Sequence, residues 1–137
     1  MVLNTIISCI YMGKSNESKL YNLIKSIIKD KAFIMRVETG LTMLGVPDVY
    51  IVYNGIAFWL EIKCNTLKNC NLSKYQVNWL LQHKRHGGLS FILNRPHKQS
   101  DLKLLEINPL GVAREVFSTT YDSVGVEAIL AHVVKVA

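Results

Sequence analysis

The dipeptide Asn54-Gly55 constrains what this chain can fold into more than any other feature. On either side lie runs rich in β-branched and aromatic residues: Val49-Tyr50-Ile51-Val52-Tyr53 before it, and Ile56-Ala57-Phe58-Trp59-Leu60-Glu61-Ile62-Lys63 after it. A two-residue hairpin loop of type I′ needs positive φ at both central positions, and Asn-Gly adopts it at low cost. The stretch is therefore predicted to be a β-hairpin in which Tyr53 pairs with Ile56. Stepping outward from that pair, Tyr50 faces Trp59 and Asp48 faces Glu61. Period-2 alternation then puts Lys63 on the same face as Glu61.

Directly opposed side chains of an antiparallel pair have Cβ atoms roughly 4.5–5.5 Å apart, and like charges placed there destabilise the sheet. The flanking strands are apolar, so two ionised carboxylates at these positions need compensation. A bound cation is the simplest form of it. Mg²⁺ and Mn²⁺ take carboxylate oxygens, with water and substrate phosphate completing the shell. Lys63 would stand beside the attacking water or the scissile phosphate, where an ammonium orients the nucleophile or stabilises developing charge. A surface hairpin with an ordinary charged face leaves the opposed pair unexplained.

Pro47-Asp48 followed by Glu61-Ile62-Lys63 resembles the PD-(D/E)XK nuclease signature, and with Ser73 to Gln76 downstream it is most similar to the VRR-NUC and Holliday-junction-resolvase-like branches. The resemblance implies a metal site formed by Asp48, Glu61 and the backbone carbonyl of Ile62, with Lys63 assisting the chemistry. In such families a glutamate of the first helix and a glutamine of a later helix often approach the carboxylates, and Glu17 and Gln76 are the matching residues. Each also has a local explanation. Glu17 lies in the first turn of a helix, where the macrodipole favours a carboxylate. Gln76 is the N3 residue of the capping box Ser73-Lys74-Tyr75-Gln76.

The rest of the chain supplies the elements that such a core needs. Ser15 or Asn16 can cap a helix whose apolar residues Leu20, Leu23, Ile24, Ile27 and Ile28 follow 3.6-residue spacing. Ala32 to Val37 reads as a strand with Phe33, Met35 and Val37 facing the core, and Arg36 and Glu38 facing out. Asn65 to Leu72 reads as a polar loop, and the helix from Ser73 stops at Gly87-Gly88. His83 and His86 have the i, i+3 spacing of a metal pair, but the negative end of that helix also accounts for them. Leu89–Leu93 and Leu102–Ile107 read as strands. From Gly111 the pattern reads as helical, weakly through Val116 and then strongly from Asp122 or Ser123. The implied fold is α/β, a restriction-endonuclease-like αβββαβ core over about residues 16–95 with a mixed central sheet, followed by a C-terminal strand and helix. Tyr50 and Trp59 could stack on an unpaired base or pack beneath the first helix.

With 137 residues, half of them hydrophobic and only 19% charged, the chain can bury one core, and the expectation is a single domain. Sixteen Lys and Arg against ten Asp and Glu give +6, a balance that suits a polyanionic partner. Arg36, Lys74, Lys84, Arg85 and Arg95 are the candidates for backbone phosphates. Cys9, Cys64 and Cys70 contain no CxxC pair, which argues against a zinc site or disulfide framework and points to a reducing cytoplasm. Cys64 would face away from the carboxylates. No run is long enough to span a membrane. Residues 1–11 read as an upstream extension before Met12.

Together these readings point to a Mg²⁺- or Mn²⁺-dependent DNA endonuclease. It would act on junctions or flaps, as a homodimer if it resolves four-way junctions, in the manner of a phage or mobile-element accessory nuclease. The alternatives are a non-cutting nucleic-acid-binding module of the same fold and an RNA-processing nuclease.

Overall fold

A computed structural model describes residues 16–37 and 44–137. The expectations for residues 1–11, for a cap at Ser15 and for Glu38 lie outside the described residues. The first helix, α1, covers residues 16–28 and is followed by strands β1 (Phe33–Arg36), β2 (Val49–Tyr53) and β3 (Ile56–Lys63). A short 3₁₀ turn at Lys68–Asn71 leads into helix α2 (Lys74–Arg85). Strands β4 (Ser90–Asn94), β5 (Leu102–Ile107) and β6 (Ala113–Thr119) and helix α3 (Ser123–Val136) complete the chain.

The hairpin forms in the register that its loop dictates. Asn54 and Gly55 have φ of 50° and 77°, and the ladder runs from Tyr53↔Ile56 through Tyr50↔Trp59 to Val49↔Leu60. Six strands lie in the order β1-β2-β3-β4-β5-β6, and every neighbouring pair is antiparallel except β3 and β4. A parallel pair needs a long crossover, and α2 provides it. The sheet is therefore mixed, and α1 to β4 reproduce the αβββαβ order.

Helices cover both faces. On one face, Leu20, Ile24 and Ile28 of α1 and Val126, Ile129 and Val133 of α3 pack against Val49, Ile51, Phe58, Leu60, Phe91 and Leu104. On the other, Leu80 of α2 packs with Cys70, Ile92 and Ile107. These two layers leave the ends of β3 and β4 between α1 and the start of α2.

Three expectations are corrected. The facing of β1 is reversed: Phe33 and Met35 are exposed, whereas Ile34 packs on the core. The pairs Ile34↔Ile51 and Arg36↔Val49 put those residues on the face that α1 covers, so Arg36, still exposed, lies over the Tyr21 ring of α1, 5.0 Å from its centroid. Residues 113–119 form a strand instead of a weak helical segment. Asn108 organises the turn before it, its Oδ1 accepting from the N–H groups of Leu110 and Val112. Tyr50 and Trp59 pack away from α1, in a chain of rings that reaches Trp79 of α2 (Tyr50–Trp59 4.9 Å, Trp59–Trp79 5.5 Å).

Candidate active site

The site forms because β3 outruns β2. The last ladder pair is Val49↔Leu60, which leaves Glu61, Ile62 and Lys63 without a β2 partner on that edge. Asp48, one residue before β2, takes the vacant ladder position with its side chain: its Oδ2 accepts from the Ile62 N–H at 3.0 Å. On the opposite edge the parallel ladder engages Trp59 N–H with Leu89 O and Arg95 N–H with Lys63 O. Alternation along the strand therefore turns the Ile62 carbonyl toward the Asp48 edge.

Glu61 is buried, at 3% exposure, and its two oxygens have different surroundings. Oε1 accepts from Gln76 Nε2 at 3.0 Å and lies 4.0 Å from Lys63 Nζ. Oε2 has no hydrogen-bond partner among the described residues. Burial, followed by the Asp48 charge, pushes the Glu61 carboxyl up to about 9, against a smaller opposing effect of Lys63. With burial as the larger cause, Glu61 holds its proton at neutral pH.

Gln76 serves the helix and the site together. Its Oε1 accepts from the Ser73 N–H at 2.9 Å, while Ser73 Oγ accepts from the Gln76 N–H at 3.2 Å, closing the capping box. The same Oε1 accepts from Lys63 Nζ at 3.3 Å, and Nε2 holds Glu61. The cap thereby fixes the amide orientation that both charged residues meet.

Glu17 reaches the site from α1. Burial and the Asp48 charge raise its carboxyl pKa, whereas Lys63 and Arg36 lower it. Lys63, 12% exposed at its side chain, also donates to the Asn71 carbonyl at 3.5 Å. That carbonyl was not foreseen. It is aimed by three successive residues with positive φ, Asn69, Cys70 and Asn71, and the signal for it is the asparagine content of the loop, since Asn tolerates the left-handed region better than most residues. Asn94 was also missed. It exchanges two hydrogen bonds with the backbone of Asn65, at 3.0 and 3.2 Å, and so ties the chain just past Lys63 to the end of β4.

The phosphate candidates are dispersed. Arg36 is near enough to act on Glu17, and Lys74 opens α2 two residues before Gln76. Lys84 is engaged by the Ile107 carbonyl at 3.0 Å and by Glu106 at 3.4 Å, and it lies with Arg85 about 12 Å along the helix from Gln76. Arg95 lies over the Tyr121 ring, 3.4 Å from its centroid. His83 stacks on Trp79, with burial lowering its pKa, and His86 Nδ1 bonds the Gln82 carbonyl at 2.8 Å. Neither histidine approaches the carboxylates. Cys64 packs against the α1 face of the sheet, away from them.

Among the described residues, no three His, Cys, Asp or Glu side chains close around a metal ion. A divalent ion nonetheless fits this donor set. Glu61 Oε2 has an unused lone pair, Asp48 lies beside it, and the Ile62 carbonyl faces the same edge.

No protein-family model matches this chain, and no curated protein matches it. A solved structure does: Hjc of Archaeoglobus fulgidus, a Holliday junction resolvase from an archaeal hyperthermophile. It is 16% identical, with a TM-score of 0.50 over 72% of this chain and 85% of that one. The fold is resolvase-like. Also among the described residues, no helix is long and apolar enough to cross a membrane.

The proton held by Glu61 gives the site a pH signature. A carboxyl whose pKa is raised on folding stabilises the fold at low pH, and that contribution is lost as pH rises through the folded value. Between about pH 7 and about 8, His83 is mostly neutral and the thiols of Cys64 and Cys70 are mostly protonated in both states. In EDTA the melting temperature should fall across this window, because Glu61 holds a proton that the unfolded chain has released. Asp48→Asn should flatten the slope. Melting curves at matched ionic strength check both, and a slope unchanged in the variant would count against the effect of the Asp48 charge on Glu61.

Proposed function

We propose that this chain is a metal-dependent endonuclease that hydrolyses phosphodiester bonds in DNA, belongs to the resolvase-like and VRR-NUC-like nucleases, and acts on branched substrates. The observation that carries this reading is the buried Glu61, with one oxygen unpartnered, beside Asp48 and Lys63 at an open strand end. A sheet gains nothing from such a pair unless a cation or a reaction uses it.

In this reading Asp48, Glu61 and the Ile62 carbonyl hold Mg²⁺ or Mn²⁺, with Glu17 beside them. The bound ion supplies a Lewis acid at the scissile phosphate and a more acidic water. Gln76 fixes the Glu61 carboxylate in one rotamer, which spares the site an ordering cost at the moment of reaction. Lys63, held by Gln76 and Asn71, presents its ammonium to the attacking water or to the developing charge on phosphate. Arg36 and Lys74 flank the carboxylates and bind neighbouring phosphates of the strand. They position it without reading its bases.

The test is cleavage of labelled four-way junction, flap, single-stranded and linear duplex DNA, and of single- and double-stranded RNA, with Mg²⁺, Mn²⁺ or EDTA, comparing wild type with Asp48→Ala. Cleavage that needs metal and is lost in the folded variant is the expected result. Salt-dependent binding without cutting of any substrate would overturn the reading in favour of a non-catalytic binding module, and cutting of RNA alone would transfer it to RNA processing.

A further inference from the structure

A second concentration of positive charge lies on the α1 side of the site. Where β3 and β4 end, Cys64 and Arg95 wall a cavity of about 50 Å³ that is closed by Lys19 of α1 and by His97 and Lys98 of the loop after β4. Three of these residues are permanent cations, one is an imidazole, and no carboxylate among the described residues lines the space. The Arg95 guanidinium is held in place from two sides, over the Tyr121 ring and through Nε to the Ser100 carbonyl at 3.2 Å. Lys19 and Lys98 have no ion-pair partner among the described residues.

Gathering like charges around a small cavity is unfavourable unless an anion enters it. The cavity has room for a group a few water molecules in size, which a tetrahedral oxyanion satisfies. Cys64, which lines the cavity, directly follows Lys63 in the chain. An anion here would sit next to the strand end that carries Glu61 and Lys63.

We propose that this pocket binds one phosphate group of the nucleic-acid strand, separate from the phosphate at Asp48 and Glu61, and so sets how the strand lies across the site. Lys19 and Lys98 supply mobile ammonium groups, and Arg95 supplies a fixed fork. The assignment to a strand rests on the nuclease reading, whereas the anion pocket does not.

Two readouts test it. The first uses no DNA and no activity: alkylation of Cys64 at mildly alkaline pH, followed by peptide mass spectrometry, with inorganic phosphate replacing chloride at constant ionic strength. Phosphate should slow Cys64 modification saturably in wild type and lose that effect in Lys19→Ala/Lys98→Ala. Equal modification rates with and without phosphate would overturn the pocket. The second is binding and cleavage of branched DNA. The double variant should bind about tenfold or more weakly through its lost charge-assisted contacts, and the slope of log K against log salt should fall by about one for the phosphate given up. Its kcat should hold while KM rises, and Lys135→Ala should change none of these. Oligonucleotides with and without terminal phosphates separate the sources. Equal protection of Cys64 assigns an internal phosphodiester, and protection only by the phosphorylated strand assigns a strand end. If phosphate protects Cys64 but no DNA does, the strand assignment is overturned. If protection by DNA persists in a protein that cuts nothing, the pocket stands and the nuclease reading falls.

Discussion

Lys63→Ala should lower metal-dependent cleavage by about 10² to 10³-fold, the loss that follows removal of one preorganised charge aimed at a developing anion, and leave the protein folded. The first half follows from the position of Nζ, 3.3 Å from Gln76 Oε1, 3.5 Å from the Asn71 carbonyl and 4.0 Å from Glu61 Oε1. These three oxygens hold the ammonium in one place. The second half follows from protonation. Lys63 is the charge that partly offsets burial and Asp48 at Glu61, and without it Glu61 keeps its proton more firmly, so no ionised carboxylate is stranded in the core. Single-turnover cleavage at saturating protein, paired with circular dichroism melting, separates the two effects. Lys63→Arg should not restore the rate, because a planar guanidinium cannot occupy a point held by three converging acceptors. Full activity in well-folded Lys63→Ala would remove Lys63 from the mechanism.

The site was legible to the degree that one turn controls it. Asn54-Gly55 fixes a two-residue loop, the loop fixes the register, and the register carries Asp48, Glu61 and Lys63 to one strand end with no tertiary information. Gln76 was visible by a different route, since a capping box sets the position of its N3 side chain relative to the helix start. What no local rule conveyed was which surface lay nearby, and so capping and contact with the carboxylates looked like alternatives for Gln76, when the one side chain closes the cap and also touches Glu61 and Lys63.

Elsewhere the periodic signal failed for identifiable reasons. Strand β6 pairs Phe117 with Leu104 but Glu115 with Leu105, so the ladder slips at a bulge and Val116 is skipped. That breaks the alternation by which a strand is read. Strand β1 contains Phe33 and Met35, with Val37 just past its end, a spacing that suggests an inward face, but it is an edge strand whose covered side is decided by α1, and α1 packs on Ile34. The Asn71 carbonyl depends on three successive positive φ values, which composition can suggest but cannot orient.

The connection into the hairpin provides the largest expected effect on the fold itself. Gly45 has φ of +87°, and a Cβ there would lie 2.2 Å from the Tyr75 carbonyl oxygen, 2.5 Å from its carbon and 3.0 Å from the Gln76 nitrogen. All three are backbone atoms, so no rotamer change relieves the contact. Gly45→Ala must either displace the segment carrying Pro47 and Asp48 or push back the first turn of α2. The left-handed conformation alone costs an alanine about 1–2 kcal/mol, and with the clash the loss should reach about 2–4 kcal/mol, a drop in melting temperature of about 6–15 °C. Gly55→Ala is the control. It also has positive φ, but its Cβ would meet nothing within 4 Å, so it should show only the backbone cost and keep full cleavage when folded. Gly45→Ala should lose cleavage well below its melting temperature, because Gln76 moves with the turn and releases Glu61. Equal cleavage by the two folded variants would mean that the approach of Gly45 to α2 supports stability alone, and that the Gln76–Glu61 contact tolerates displacement.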